Sequence, residues 1–223
     1  MKYRTLGRTG IEVSEIGLGT WSFASRAYGD VDRSEAEAVV RAALDGGITL
    51  FDTAPLYGSS DENGVSERIL GEALGPAREN VLISTKFGRG SAQRGTSFSA
   101  EGVASSVEAS LERLSTDRID VLFFHSPFGA DELEDDVWEA LGKLKTDGKI
   151  RCVGHSISKF ADTQQMARDW FADRKIDVVQ VVYSLMNRES TDLIQDLGMG
   201  GAGVFARESL ANGFLSGAFT VDT

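Results

Sequence analysis

Seven short apolar runs, each separated from the next by a segment of helical periodicity, constrain this chain more than any other feature. The runs are Ile16 to Gly19, Thr49 to Asp52, Val81 to Lys86, Asp120 to His125, Arg151 to Ser156, Val178 to Ser184 and Val204 to Arg207. They are rich in Val, Ile, Leu and Phe and lack strict polar alternation, as strands do when both faces of a parallel sheet are covered. Between them, Asp32 to Leu44 sets Ala36, Val39, Val40 and Ala43 on one side before Gly46-Gly47 stops it. Val65 to Leu74 ends at Gly75-Pro76, and Ser99 is placed to cap a helix through Val103, Val107, Leu111 and Leu114. Leu133 to Leu144, Ala161 to Trp170 and Ser190 to Leu197 continue the alternation. Repeated β–α units demand an α/β fold, either a doubly wound sheet or a (β/α)8 barrel. Ahead of them, two short extended runs around Gly7-Arg8-Thr9-Gly10 read as a β-hairpin. With three prolines and no polar linker, residues 1–223 read as one domain.

Charge narrows the partners. Lys and Arg number 23 against 34 Asp and Glu, a formal net charge of -11. That balance argues against nucleic acid, which is gripped by clustered cations, and against anionic membrane surfaces. No apolar run is long enough to cross a bilayer, and no apolar stretch follows the basic residues at the start. Cys152 is the one cysteine, so no intrachain disulfide forms. The expectation is a cytoplasmic protein acting on a small molecule.

In parallel α/β folds, reactive groups gather at the carboxyl ends of the strands. Three successive runs finish on an ionisable residue: Phe51-Asp52, Thr85-Lys86 and Phe124-His125. A strand-end Asp alone reads equally well as a helix cap, and a lone His as a packed structural residue. A strand-end Lys is less ordinary, because burying an unpaired ammonium is expensive. On consecutive strands, Asp52 and Lys86 can pair, and His125 would face the same mouth. Tyr57 follows Asp52 by five residues, enough for the chain to turn over the rim and point a phenol back. An ammonium beside a phenol eases loss of its proton, so Tyr57 suits proton donation and recovery. Such a set performs half of a carbonyl reduction; the other half needs a hydride donor.

These residues resemble the aldo-keto reductase family from Tyr3 to about Gly217. The segments Phe51-Asp52-Thr53-Ala54 through Tyr57-Gly58, Ser66-Glu67, Ser84-Thr85-Lys86-Phe87-Gly88, Asp120 to His125 and Gly148-Lys149-Ile150-Arg151 carry the likeness. The resemblance implies a (β/α)8 barrel that reduces aldehydes, ketones or sugar-like carbonyls with a nicotinamide cofactor, NADP(H) ahead of NAD(H). It implies Tyr57 as general acid, Lys86 and Asp52 tuning it, and His125 orienting the carbonyl. For the cofactor it implies Thr20, Trp21 and Asp52 at the mouth, with Ser156 and Gln180 on the nicotinamide amide. It also implies Arg207 stacking on the ring, and Ser209, Leu210, Asn212 and Gly213 near phosphate. No metal is implied. Ile157 stands where the family often has Asn, and Ser184 where it often has Asn after Tyr183. A typical barrel of this type has about 250 residues and eight units, so seven runs predict a chain that is truncated or shortened, closes differently, or completes its barrel through a partner such as a second copy.

Weaker signals have plainer readings. Gly198-Met199-Gly200-Gly201-Ala202-Gly203 has G-x-G-x-x-G spacing, but a strand follows it, so it reads as an αβ turn. The loop from Gly88 to Gly95 reads as a surface loop or a substrate lid. Asp131 to Asp136 reads as the start of a helix, where acidic residues suit the dipole. Trp21, Tyr28, Phe87 and Phe128 are expected at the mouth or in the core, and His155 in packing or at the cofactor's edge. Two other functions remain open: a reductase-like scaffold or regulatory protein without nucleotide turnover, and a non-redox dehydratase or isomerase using Tyr57 and Lys86.

Overall fold

A computed structural model of the chain describes residues 1–24, 31–58, 62–89, 97–158 and 161–219. Tyr28, the loop after Arg89 as far as Gly95, and Thr223 lie outside them. Strands β1 (Tyr3–Thr5) and β2 (Glu12–Ser14) pair antiparallel as the expected hairpin. Seven parallel strands follow: β3 (Gly17–Gly19), β4 (Leu50–Asp52), β5 (Leu82–Phe87), β6 (Ile119–His125), β7 (Ile150–Ser156), β8 (Val178–Val182) and β9 (Gly203–Arg207). They pair in chain order, each with its predecessor, as the inner sheet of a nearly closed (β/α)8-type barrel. Among the described residues, six helices form the outer layer: α1 (Arg33–Asp45), α2 (Val65–Leu74), α3 (Ala100–Leu114), α4 (Val137–Thr146), α5 (Ala161–Ala172) and α6 (Thr191–Met199).

Local chemistry sets the helix starts. Asp32 accepts from the Ser34 N–H while the Glu35 side chain reaches back to the Asp32 N–H, a capping box. Ser99 accepts from the Gly102 N–H at 3.0 Å and starts α3. The expected helix from Leu133 begins instead at Val137. Leu133 is extended and bridges Phe98, whose carbonyl accepts the Glu134 N–H, so the acidic run lies before the helix rather than in its first turn. Gly200 and Gly201 form the turn between α6 and β9, as expected.

The two-residue period of the strands divides the interior. Leu50, Leu82, Val121, Phe123, Cys152, Val178 and Phe205 pack inside the barrel, and Leu6, Ile11 and Val13 of the hairpin join them at its floor. The alternate residues face the helices. Phe87 belongs to that outer layer: it follows Lys86 by one residue and packs against Phe98 and Phe124, with ring centroids at 5.9 and 4.6 Å. Its place is therefore the core, not the mouth. At Gly154 a Cβ atom would lie 2.4 Å from the Phe123 ring, so only glycine lets β6 and β7 approach there.

His155 faces outward into the helix layer, fully buried, its ring centroid 4.8 Å from that of Trp170. Neither ring nitrogen has a hydrogen-bond partner among the described residues. Burial drives its pKa down to about 3, whereas an imidazole in the unfolded chain titrates near 6.5. Below that value the unfolded chain takes up a proton that the folded one refuses. The stability this residue protects is intact above about pH 6.5 and is lost as the pH falls towards 3. Between pH 7.5 and pH 5 its contribution is a loss of about 2 kcal/mol. Urea unfolding at the two pH values is expected to show at least that drop, since His125, whose pKa is also held low, adds its own, and His155→Phe to lessen it by about 2 kcal/mol. An equal drop in the variant would reject the assignment.

Candidate active site

The same alternation that fills the barrel with Leu82 and Val121 brings every second residue beyond them to the mouth. Asp52, Lys86, His125, Ser156 and Gln180 are all in phase with the inward-facing residues of their strands. The register aligns Asp52 with Ser84, and His125 with Ser156 and Ser156 with Gln180. The mouth is thus assembled by strand pairing.

Lys86 is fully buried. Its Nζ donates to Asp52 Oδ2 and to the Thr53 carbonyl, each at 2.8 Å. Burial works against the ammonium, but the charges and hydrogen bonds of Asp52 and Tyr57 outweigh it and raise its pKa above the ordinary lysine value. Ser84 completes the pair by donating to Asp52 Oδ1 at 2.7 Å. Sequence reasoning assigned Ser84 no role, although its position two residues before Lys86 puts it on the same face.

Tyr57 is brought back over the rim by a turn in which its N–H donates to the Ala54 carbonyl at 3.0 Å. Its own carbonyl accepts the Ser66 N–H at 3.1 Å, and the Ser66 hydroxyl donates to the Thr20 carbonyl at 2.9 Å. Ser66, at the start of α2, therefore ties the Tyr57 loop to the end of β3. The Lys86 Nζ lies 5.0 Å from the centre of the phenol ring. His125 meets the ring edge-on, with centroids 6.2 Å apart and planes at 85°. Burial, and then the charges of Lys86, Arg89 and Arg207, hold the His125 pKa well below the ordinary imidazole value, so the ring is neutral near pH 7. All four residues of the expected acid–base set converge.

Around this set lie groups suited to a nicotinamide. The Ser156 hydroxyl donates to Gln180 Oε1 at 3.0 Å, and both side chains are buried. Arg207 donates through Nη2 to the Ile157 carbonyl at 3.3 Å and pairs with Glu208, yet its Nε is buried without a partner among the described residues. Beyond it, Glu208, Ala211, Asn212 and Gly213 all have left-handed φ, from 50° to 98°. In such turns successive backbone N–H groups make a concavity that takes an anion such as phosphate. An orphaned guanidinium nitrogen beside a Ser–Gln pair and a left-handed turn fits a dinucleotide. Ser209 and Leu210 are exposed in that turn. Trp21 is exposed at the end of β3 and Phe128 after β6. Thr20 is fully buried and donates its hydroxyl to the Asp52 carbonyl at 3.2 Å, which ties the end of β3 to β4. Among the described residues no cluster of metal-ligating side chains occurs, and no helix is long and apolar enough to cross a membrane.

The sequence profile of the aldo/keto reductase family matches residues 15–223. L-galactose dehydrogenase of Arabidopsis thaliana is 35% identical over 97% of this chain and 67% of its own length. An aldo-keto reductase of Bacillus subtilis (strain 168) is 36% identical over 87% of this chain and 57% of its own. The holo form of an aldo-keto reductase from Bacillus halodurans superposes with a TM-score of 0.85 at 29% identity, covering 99% of this chain and 70% of that one. The chain thus spans between 57% and 70% of the length of these relatives. By profile, by identity and by superposition it belongs to the aldo/keto reductase family, a family of oxidoreductases.

Proposed function

We propose that this chain reduces the carbonyl of an aldehyde, ketone or sugar-like substrate with NADPH or NADH. The observation that carries the reading is the convergence of Tyr57, Lys86, Asp52 and His125 on one barrel mouth beside the Ser156–Gln180 pair. A bound reduced nicotinamide supplies the hydride to the carbonyl carbon. The Tyr57 hydroxyl gives its proton to the carbonyl oxygen. The Lys86 ammonium, held charged by Asp52, stabilises the phenolate that results. The neutral His125 ring fixes the carbonyl oxygen by a hydrogen bond. Ser156 and Gln180 hold the carboxamide, Arg207 covers the ring, and the turn from Ser209 through Leu210 and Asn212 to Gly213 takes the phosphates. Trp21 covers the open side of the mouth.

Titration of the protein with NADPH and with NADH, followed by quenching of tryptophan emission, tests this reading. Saturable binding of at least one is expected, with consumption of the bound nucleotide when aldehydes and ketones are added. Binding of neither would overturn it. The comparison of the two nucleotides also settles the preference.

A further inference from the structure

Arg89 has no part in the chemistry just described, yet it is tied to the strand end that carries His125. It follows Gly88, whose φ of 99° turns the chain out of β5; a Cβ atom there would strike the Phe98 ring. The Arg89 Nε and Nη2 both donate to one acceptor, the Ser126 carbonyl, at 3.0 and 2.6 Å. Nη2 also lies 3.3 Å from Glu132 Oε2, and that oxygen accepts the Phe128 N–H at 3.3 Å. The guanidinium carbon sits 4.1 Å over the Phe128 ring. One side chain from the exit of β5 thereby gathers three points of the loop leaving β6.

That loop begins one residue after His125. Ser126 has a φ of 53°, a left-handed conformation in a residue with a Cβ atom. Such a conformation costs about 1–3 kcal/mol and persists only where its surroundings impose it. A catalytic imidazole is usually oriented by a hydrogen bond that holds one ring nitrogen so that the other can work. Its Nδ1 is buried without a partner among the described residues. Among the described residues, what bears on the ring direction is its packing on Tyr57 and the backbone that carries it.

We propose that Arg89 is a positioning residue for His125: its two-donor grip on the Ser126 carbonyl maintains the left-handed turn that aims the imidazole into the mouth. Its charge has a second effect on the same ring. Among the described residues, the charged and titratable groups facing His125 are Lys86 from β5, Arg89 from the loop after it, Arg207 from β9 and Tyr57 from the loop after β4. Each of the three cations has its own carboxylate, Asp52, Glu132 and Glu208 respectively. Arg89 thus helps keep the imidazole neutral while it holds the ring in place.

Two substitutions separate the grip from the charge. Arg89→Met removes both, and Arg89→Lys keeps the charge but loses the planar two-donor fork. The chain has two histidines, so the ring-nitrogen NMR signals are few and His155→Phe assigns them. In wild-type protein a single sharp His125 tautomer is expected. In Arg89→Met the His125 signals should broaden and the ring should titrate at higher pH. In Arg89→Lys they should broaden while the titration stays near the wild-type position. Sharp, unshifted His125 signals in both variants would overturn the proposal.

A kinetic arm rests on the carbonyl-reducing reading. There Arg89→Met should lower kcat by about 10- to 100-fold at an unchanged KM for the nucleotide, as expected when a reacting group is misplaced. Equal kcat in variant and wild type would also count against the proposal. If the wild-type protein reduced no carbonyl, that reading would fail, and the NMR outcome would still decide the role of Arg89.

Discussion

Turnover is expected to fall by about 100- to 10,000-fold in Tyr57→Phe, the range that a positioned general acid contributes. The substitution removes one oxygen and keeps the ring. The edge contact with His125 and the position over the Lys86 ammonium survive, because both involve ring carbons. Its backbone bonds to Ala54 and Ser66 also survive, so the loop keeps its course. Nucleotide affinity should therefore match the wild type while kcat collapses, and the thermal midpoint should fall only by what the lost hydroxyl contributed to the buried Lys86 ammonium. Retention of kcat within about threefold would remove Tyr57 from the acid role, because a bystander phenol contributes no such factor. Loss of nucleotide binding together with kcat would instead assign the phenol to binding.

The second large effect concerns stability. Asp52→Ala leaves Lys86 fully buried, with its carboxylate partner gone. Removing one member of a buried ion pair costs about 3–5 kcal/mol, since the remaining charge is left without compensation. The Thr53 carbonyl still accepts from Nζ at 2.8 Å, but an uncharged oxygen offsets little of that loss. Ser84 loses its acceptor as well. Urea unfolding should show the drop, and adding Lys86→Met to the same chain should recover much of it by removing the stranded charge. Neither variant should turn over carbonyl substrate. A destabilisation below about 1 kcal/mol in Asp52→Ala would mean that water reaches the ammonium, contrary to its burial.

Much of this arrangement was legible from residue order, for a physical reason. A parallel strand buried on both faces must be apolar along its length, so an ionisable residue at its end stands out. Asp52, Lys86 and His125 stood out in that way, and Ser156 and Gln180 were recognisable through the family resemblance. The alternation of faces is legible in the same way. One residue beyond Lys86 the chain points the other way, which sends Phe87 into the helix layer. Other features depend on contacts between distant parts of the chain. The grip of Arg89 on Ser126 spans 37 residues, and the delayed start of α4 arises from Leu133 bridging Phe98. Thr20, implied at the cofactor by the resemblance, also donates its hydroxyl to the Asp52 carbonyl, 32 residues away. No local pattern distinguishes a rim hydroxyl from one folded inward.

The hairpin at the barrel floor has a consequence for how the molecule assembles. The seven strands join in chain order, so the sheet can grow one unit at a time from short-range closures. The hairpin is the exception. Its Arg8 N–H donates to the Gly201 carbonyl, its guanidinium reaches the Ile176 carbonyl at 3.2 Å, and it covers the Phe171 ring at 4.2 Å. These bonds join residue 8 to residues 171–201, closures whose entropy is met only after the intervening strands are in place. The hairpin is therefore expected to fasten late, so that Arg8→Ala should speed unfolding more than it slows folding.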